Sequence, residues 1–191
     1  MASQWFERYL ATPEVIARFT RHDTTAQPMP AALVERIERA RNFAEGIRTM
    51  AMLQTSVLDL DLHTLPVPPD FGALERAIAA AVHAPPEVSA VGGAVQAGFL
   101  FGGENYAAQF YSYLWSDALA AEVYEAFLAG TGPYDRTVAE RLRAHVLATG
   151  DSLPPADAYR RVLGKVPGID ALLRKRGMRA PGHGPGSRQA R

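Results

Sequence analysis

Residues 106–128 read YAAQFYSYLWSDALAAEVYEAFL, and this segment decides the fold class. Large apolar and aromatic side chains fall around nearly its whole circumference at helical spacing, whereas Gln109, Ser112 and Ser116 share one narrow polar stripe. A helix that is apolar on most of its sides lies inside a fold. We therefore predict a buried helix over residues 106–128 that ends at Gly130.

The rest of the chain also has a helical period. Apolar residues recur every three or four positions from Leu33 to Val57, which predicts one long amphipathic helix with Gly46 in a close packing contact. Further helices are predicted over residues 13–19, 71–82, 135–147, 155–163 and 169–176. The glycine-rich stretch 91–103 leaves a strand, a loop and a helical turn open as alternatives. The predicted fold class is all-α.

Length and composition limit the possible organisation and partners. The chain has 191 residues, which suits one domain, and its 20 basic and 20 acidic residues cancel. A net charge of zero gives no electrostatic reason to bind nucleic acid or an anionic membrane. No apolar run approaches the roughly 18 residues of a membrane span. We predict a helical domain over residues 1–178 and a disordered basic tail over residues 179–191.

The absence of cysteine bears on chemistry and on compartment. It excludes disulfides, thiolate catalysis and cysteine-bound zinc, and it fits a reducing compartment. Glu7 and Arg8 also interrupt the N-terminus before the apolar core of a signal peptide could form. We predict a cytoplasmic protein.

Motifs for metal, nucleophilic or phosphate chemistry are not recognisable. No two of the five histidines lie four positions apart, as HExxH requires, and the serines lack a GxSxG turn. Asp59 and His63 do have the four-residue spacing of two metal ligands. However, no third ligand is apparent, and an exposed Asp–His pair at a helix end is common. We therefore predict no metal site and assign no catalytic residue in this chain.

Tyr106 and Tyr113 are the candidate binding residues. Seven positions separate them, which would place them two turns apart on one helix face, next to the glycines at 102 and 103. Two O–H donors on one side of a cleft could hold a carbonyl or an oxyanion. The alternative is that both are core residues whose phenols need buried partners.

Residues 101–127, FGGENYAAQFYSYLWSDALAAEVYEAF, closely resemble the substrate-binding segment of one family of zinc metallopeptidases. It comprises thimet oligopeptidase, oligopeptidase A and dipeptidyl carboxypeptidase, and its motif has the form H-x-x-G-G-Y-x-A-x-Y-Y-x-Y-L-W. Three further segments resemble the family in the same order: SQWFERYLATPEVIARFTRH, RNFAEGIRTMAMLQTSVLDLDLHT, and the stretch from VLATGDS to LLRKRGM. The resemblance covers nearly all of residues 3–178 and implies the C-terminal helical part of the family's catalytic domain.

The resemblance implies roles for some residues and the loss of others. Zinc in such enzymes is bound by HExxH and a later glutamate, and the glutamate of HExxH activates water. Tyr106 and Tyr113 match the first and last tyrosines of the later motif, which bind substrate and help the oxyanion. Phe101 stands where the motif has its histidine, and Leu100 does so if one residue is inserted. The motif's Gly-Gly is replaced by Glu104–Asn105, and this carboxylate should repel an anionic substrate end.

These departures predict a truncated, degenerate relative that holds no cofactor and is inactive alone, with HExxH expected upstream. Alternatives are a module that binds peptides or proteins, one half of a split peptidase completed by an HExxH-bearing chain, and a gene remnant without function. Helices that lack their usual neighbours would expose apolar surface, which self-association or such a partner would cover. Oligopeptides are the expected small partners.

Overall fold

The computed structural model of the protein describes residues 2–67, 69–88, 93–150 and 152–178. Over these ranges the fold is helical and contains no strand, which confirms the predicted all-α class. The helices are α1 (Ala2–Glu7), α2 (Pro13–Phe19), α3 (Ala31–Arg41), α4 (Glu45–Thr64), α5 (Phe71–Ala81), α6 (Gly93–Gln96), α7 (Tyr111–Ala129), α8 (Arg136–Leu142), α9 (Pro155–Leu163) and α10 (Asp170–Lys175). None of the described helices combines the length and the hydropathy of a bilayer span. The predicted tail, residues 179–191, lies outside the described residues.

The described residues form two compact units, one from those up to Phe43 together with those from Ser116 onward, and the other from Ala44 to Trp115. The core of the first unit is built around the later part of α7. Leu119, Ala120, Val123 and Phe127 are buried there, together with side chains from α1, α8 and α9. Trp5, only 7% exposed, brings its ring centroid to 5.4 Å from that of Phe127. The prediction of a buried helix is therefore confirmed for this part of the segment.

Acidic residues of α7 pair with basic residues near the C-terminus of the same unit. Buried Asp117 contacts Lys175 and accepts a 2.8 Å hydrogen bond from Arg176. Burial by itself raises the pKa of Asp117, but the two cations outweigh it and hold this pKa below its ordinary value. Arg174 donates to Glu125 through two bonds of 2.7 and 2.5 Å. Basic residues at the end of α10 and just after it thus form ion pairs with two acidic side chains of α7.

The structure corrects the helix predicted from Leu33 to Val57. A left-handed residue, Ala44 with φ 58°, separates α3 from α4. A right-handed helix cannot continue through that backbone conformation, so the apolar period runs across a turn. The close contact predicted at Gly46 is also wrong, because a Cβ built there would meet nothing within 4 Å.

The second unit is organised by α4 and α5, which pack through Leu58 and Ile78. α4 also buries polar residues, among them Gln54, whose amide donates a 2.9 Å hydrogen bond to the carbonyl of Val88. The glycine-rich stretch is helical from Gly93 onward, as α6 and a 3-10 turn over Gly98–Phe101. Its first residues, 91 and 92, lie outside the described part of the chain.

Candidate functional site

Tyr106 and Tyr113 line the same small cavity in the second unit, with a volume of about 80 Å³. Their side chains are 51% and 47% exposed, so neither is a core residue. The helical spacing that predicts their proximity is not what brings them together. α7 begins only at Tyr111, and Tyr106 lies in the turn that precedes it. The remaining lining residues are Phe99, Leu100, Asn105, Gln109, Phe110 and Ser112.

Aromatic rings form the apolar wall of this tyrosine cavity. The ring centroid of Phe110 lies 5.6 Å from that of Phe99 and 5.2 Å from that of Tyr113. Both pairs are tilted, the kind of arrangement that aromatic quadrupoles favour over face-to-face stacking. Amide and hydroxyl groups of Asn105, Gln109 and Ser112 complete the lining, so the cavity offers both apolar surface and hydrogen-bonding groups.

The loop that carries Tyr106 is held from α4. Asp59 is 0% exposed, and its carboxylate accepts hydrogen bonds from the backbone N–H groups of Ala108, at 3.1 Å, and Phe110, at 2.8 Å. Ala108 has φ 56°, a left-handed conformation that non-glycine residues rarely adopt. No local sequence signal indicates this arrangement, because the two donors lie 49 and 51 residues away from Asp59.

His63, one helical turn beyond Asp59, completes the buried group. Its Nδ1 lies 3.0 Å from Oδ1 of Asp59 and 2.9 Å from the carbonyl oxygen of the same residue. A carbonyl and an ionised carboxylate can only accept, so Nδ1 carries the hydrogen. The expectation that Asp59 and His63 form an exposed pair at a helix end is wrong, because Asp59 is fully buried and the side chain of His63 is only 21% exposed.

These residues do not fit a zinc ion. The described residues contain no cluster of three or more histidine, cysteine or acidic side chains. Both oxygens of Asp59 already accept hydrogen bonds from N–H groups of the protein. The Asp59–His63 pair is a hydrogen-bonding unit of the fold, in which both carboxylate oxygens already have N–H partners.

Phe101 and Glu104 mark the two departures from the motif. Phe101 is exposed, and its ring lies 5.3 Å from the imidazole of His63. It lines a separate apolar cavity of about 240 Å³ with Leu62, Leu65, Pro66, Val67, Pro69 and Phe71. Glu104 is exposed in the loop between Gly103 and Tyr106. The tyrosine cavity is thus lined by phenols and amides, without an imidazole.

The sequence pattern described as Peptidase family M3 matches residues 1–178. The chain belongs to this family. Oligopeptidase A of Escherichia coli K12 is 30% identical over 188 residues, which cover 94% of this chain and 26% of that protein. Dipeptidyl carboxypeptidase of Salmonella typhimurium is 32% identical over 182 residues, with 92% and 26% covered. Thimet-like oligopeptidase of Dictyostelium discoideum is 31% identical over 156 residues, with 80% and 23% covered.

The M3 chain spans about a quarter of the length of the curated relatives it matches. M3 peptidases are zinc metallopeptidases, and the 191 residues of this chain contain no HExxH. What the M3 chain does contain is the tyrosine segment, whose cavity is one of those in the described residues where a ligand can meet several polar groups together. The roles of Tyr106 and Tyr113 in substrate binding stay predictions.

Proposed function

We propose that this M3 chain forms the tyrosine-bearing wall of an oligopeptide-binding cleft and that, by itself, it neither holds a catalytic zinc ion nor hydrolyses peptide bonds. The observation that carries the proposal is that Tyr106 and Tyr113 line one cavity from opposite ends of a sequence segment that includes a loop and a helix start. The names oligopeptidase A and thimet-like oligopeptidase of its relatives support peptides as ligands.

The lining chemistry suits a peptide backbone. Phenol O–H groups donate to carbonyl oxygens, and the amides of Asn105 and Gln109 both donate and accept. The rings of Phe99 and Phe110 offer apolar surface to a side chain that flanks the bound carbonyl. In a complete peptidase the same phenols would stabilise the oxyanion that forms when the carbonyl is attacked.

The proposal of inactivity rests on the sequence and on the Asp59–His63 pair. The chain has no HExxH, and Phe101 takes the place of the histidine in the substrate motif. Loss of one positioned donor to an oxyanion typically costs about 10²–10³ in rate, and loss of the metal removes the mechanism. The chain is then a degenerate relative that depends on an HExxH-bearing segment for any catalysis.

A cytoplasmic location is part of the same proposal. The absence of cysteine fits a reducing compartment. One relative in Arabidopsis thaliana, 25% identical, is named as a probable cytosolic oligopeptidase A, and another is named as an organellar one. Neither nucleic acid nor membrane is proposed as a partner, because the net charge is zero.

Peptide binding is tested by fluorescence anisotropy of a labelled octapeptide with a central Phe-Leu, titrated with the purified chain. We expect saturable binding that Tyr106→Phe and Tyr113→Phe each weaken about tenfold, the loss of one hydrogen bond. Tyr134→Phe is the matched control, because Tyr134 is a 49% exposed tyrosine of the first unit. Absence of binding, or equal effects of all three variants, contradicts the binding proposal.

Inactivity is tested on the same preparation by measuring bound metal and the cleavage of an internally quenched oligopeptide. We expect no stoichiometric zinc and no turnover that a chelator abolishes. Near-equimolar zinc with chelator-sensitive cleavage would show that the chain is an active peptidase.

A second candidate is one half of a split peptidase. Leu53 and Leu60 lie seven residues apart on one face of α4, and both are exposed. Such a face is typical of a contact with another polypeptide, here a chain with HExxH. Light scattering after size exclusion, with and without an HExxH-bearing M3 segment, tests this. A stable complex supports the split peptidase; a dimer of the chain alone, or a monomer that ignores the segment, contradicts it.

A further inference from the structure

The position of Tyr106 depends on a loop without regular structure. Residues 102–110 connect the 3-10 turn to α7, and local backbone bonds there are few: Tyr106 N–H donates to Gly103, at 3.0 Å, and Gln109 N–H donates to Tyr106, at 3.3 Å. Glu104, Asn105 and Tyr106 are exposed. A loop with so few contacts of its own samples many conformations unless another element holds it.

Hydrogen bonds to Asp59 of α4 fix this loop. One carboxylate group reaches two N–H groups on either side of Gln109, with Oδ1 at 3.1 Å from the nitrogen of Ala108 and Oδ2 at 2.8 Å from that of Phe110. Two bonds from one rigid planar group fix both the place and the direction of the backbone between them. They also explain how Ala108 keeps its left-handed φ, a conformation that persists only where the surroundings impose it.

His63 orients the carboxylate. Its Nδ1 donates to the backbone carbonyl of Asp59, at 2.9 Å, and lies 3.0 Å from Oδ1, and its ring centroid lies 5.3 Å from that of Phe101. A buried carboxylate is stable only when hydrogen bonds replace its lost hydration, and here the N–H groups of Ala108 and Phe110 supply two, while the His63 imidazole lies 3.0 Å from Oδ1. The carboxylate is therefore fixed between His63 of α4 and the two N–H groups of the loop.

Phe110 links the hydrogen bonds of Asp59 to the tyrosine cavity. The N–H of Phe110 is bound by Asp59, and its ring contacts both Phe99 and Tyr113. Tyr106 lies four residues before Phe110, at the other end of the anchored backbone. A shift of the loop would move Tyr106 away from Tyr113, which belongs to the first turn of α7.

We infer that Asp59 is the positioning residue of the tyrosine cavity: its buried carboxylate, oriented by His63, fixes the loop so that Tyr106 and Tyr113 face one ligand. This rests on the proposed peptide-binding function. Asp59 does not touch the ligand and acts only through the loop. The Asp59–His63 pair thus has a task that does not involve a metal.

The anchor itself is tested without any ligand, by residue-resolved hydrogen exchange on the wild-type chain. We expect the amides of Ala108 and Phe110 to exchange at least about 100-fold more slowly than those of Glu104 and Asn105, which are exposed in the same loop. Equal exchange at the four amides overturns the inference. This measurement stands even if the chain binds no peptide or if a variant at position 59 does not fold.

The effect on the cavity is tested by a double-mutant cycle with the labelled octapeptide. Asp59→Asn keeps the size of the side chain but turns an N–H donor toward an N–H donor of the loop. We expect it to weaken binding about tenfold in the wild-type background and less than about twofold in a Tyr106→Phe background, because it acts through Tyr106. Asp61→Asn is the control on the same helix, because the bond that Asp61 accepts from Leu65 goes to its backbone carbonyl, which the change leaves intact.

The outcomes separate the two proposals. If Asp59→Asn weakens octapeptide binding by the same factor in the wild-type and Tyr106→Phe chains, the positioning role is overturned, although peptide binding remains. Absence of binding by the wild-type chain overturns the proposed function, and hydrogen exchange alone then decides whether Asp59 holds the loop.

Discussion

The hydroxyl groups of Thr12 and Tyr124 share a buried hydrogen bond of 2.6 Å. The Thr12 hydroxyl also donates to the carbonyl of Arg8, at 2.8 Å, which uses its only hydrogen. Tyr124 is therefore the donor to Thr12, and this bond joins α7 to the segment just before α2. Although Thr12 occupies the N-cap position of α2, its side chain does not cap that helix.

The two partners of this bond should differ in their effect on stability. Thr12→Val leaves the buried phenol of Tyr124 without an acceptor and should lower the free energy of unfolding by about 2 kcal/mol. Tyr124→Phe leaves Thr12 bonded to Arg8 and should cost about 1 kcal/mol. Urea denaturation measures both. Thr25→Val at an exposed site should change stability by less than about 0.5 kcal/mol, and equal costs at positions 12 and 124 would refute the assigned donor.

The Asp117 ion pairs should make the first unit sensitive to acid. Because the folded-state pKa of Asp117 is lowered, its stabilisation is complete above the ordinary value of 3.8 and is lost as the pH falls through the lower folded value. Asp117→Asn should cost about 3 kcal/mol at pH 7, because it removes the buried carboxylate charge that Lys175 and Arg176 contact, and should reduce the acid dependence below pH ~4.

Asp157→Asn is the surface counterpart of that change. Asp157 and Arg160 form an ion pair in which both side chains are about half exposed, so its removal should cost less than about 0.5 kcal/mol. Denaturant midpoints measured from pH 2 to pH 7 compare the variants. If the stability of Asp117→Asn falls at low pH as steeply as that of the wild-type chain, Asp117 is not the source of the acid sensitivity.

The left-handed residue between α3 and α4 can be tested by one substitution, because Ala44→Gly should change the stability in opposite directions with and without this turn. Because Ala44 is left-handed, Ala44→Gly relieves strain and should stabilise the protein by roughly 0.5–1 kcal/mol. In one continuous helix the same change would destabilise it by a similar amount. Gly46→Ala, in the first turn of α4 where a Cβ meets nothing within 4 Å, should stabilise by about 0.5 kcal/mol. Thermal unfolding decides the sign.

The Glu104 carboxylate should select against acidic ligands. It is exposed two residues before Tyr106, so octapeptides with a free C-terminal carboxylate should bind more weakly than their amidated forms. Glu104→Gln should reduce this discrimination about threefold at low salt, with little change at high salt. Glu87→Gln, another exposed acid of the second unit, is the control. A salt-independent effect would exclude an electrostatic origin.

Apolar spacing and local end signals predict those parts of the fold that depend on them. The buried half of α7 and the bounds of α5 and α9 agree with the prediction, because their periodicity and flanking Pro, Gly or Asp residues are local features. The turn at Ala44 could not be predicted, because alanine is the residue type that most favours helix. Tyr111 and Trp115 carry apolar side chains that are nevertheless half exposed, which composition does not reveal.

The candidate site could be predicted only in its residue types. The resemblance singles out Tyr106 and Tyr113, but their separation along the chain suggests a helix face where the structure has a loop and a helix start. The importance of Asp59 is hidden in the sequence, because a carboxylate at a metal-like spacing is usually exposed. Its burial depends on donors about fifty residues further along the chain, a distance over which sequence periodicity carries no information.

The chain contains two tryptophans, and each compact unit has one of them: Trp5 is 7% exposed and Trp115 is 57% exposed. Their fluorescence should therefore differ. Trp5 should emit at shorter wavelength and resist quenching by iodide, whereas Trp115 should emit at longer wavelength and be readily quenched. Trp115 is not among the residues that line the tyrosine cavity, so its emission reports on the second unit in general, as that of Trp5 does on the first. The native chain thus carries an internal optical reporter for each unit, without any label.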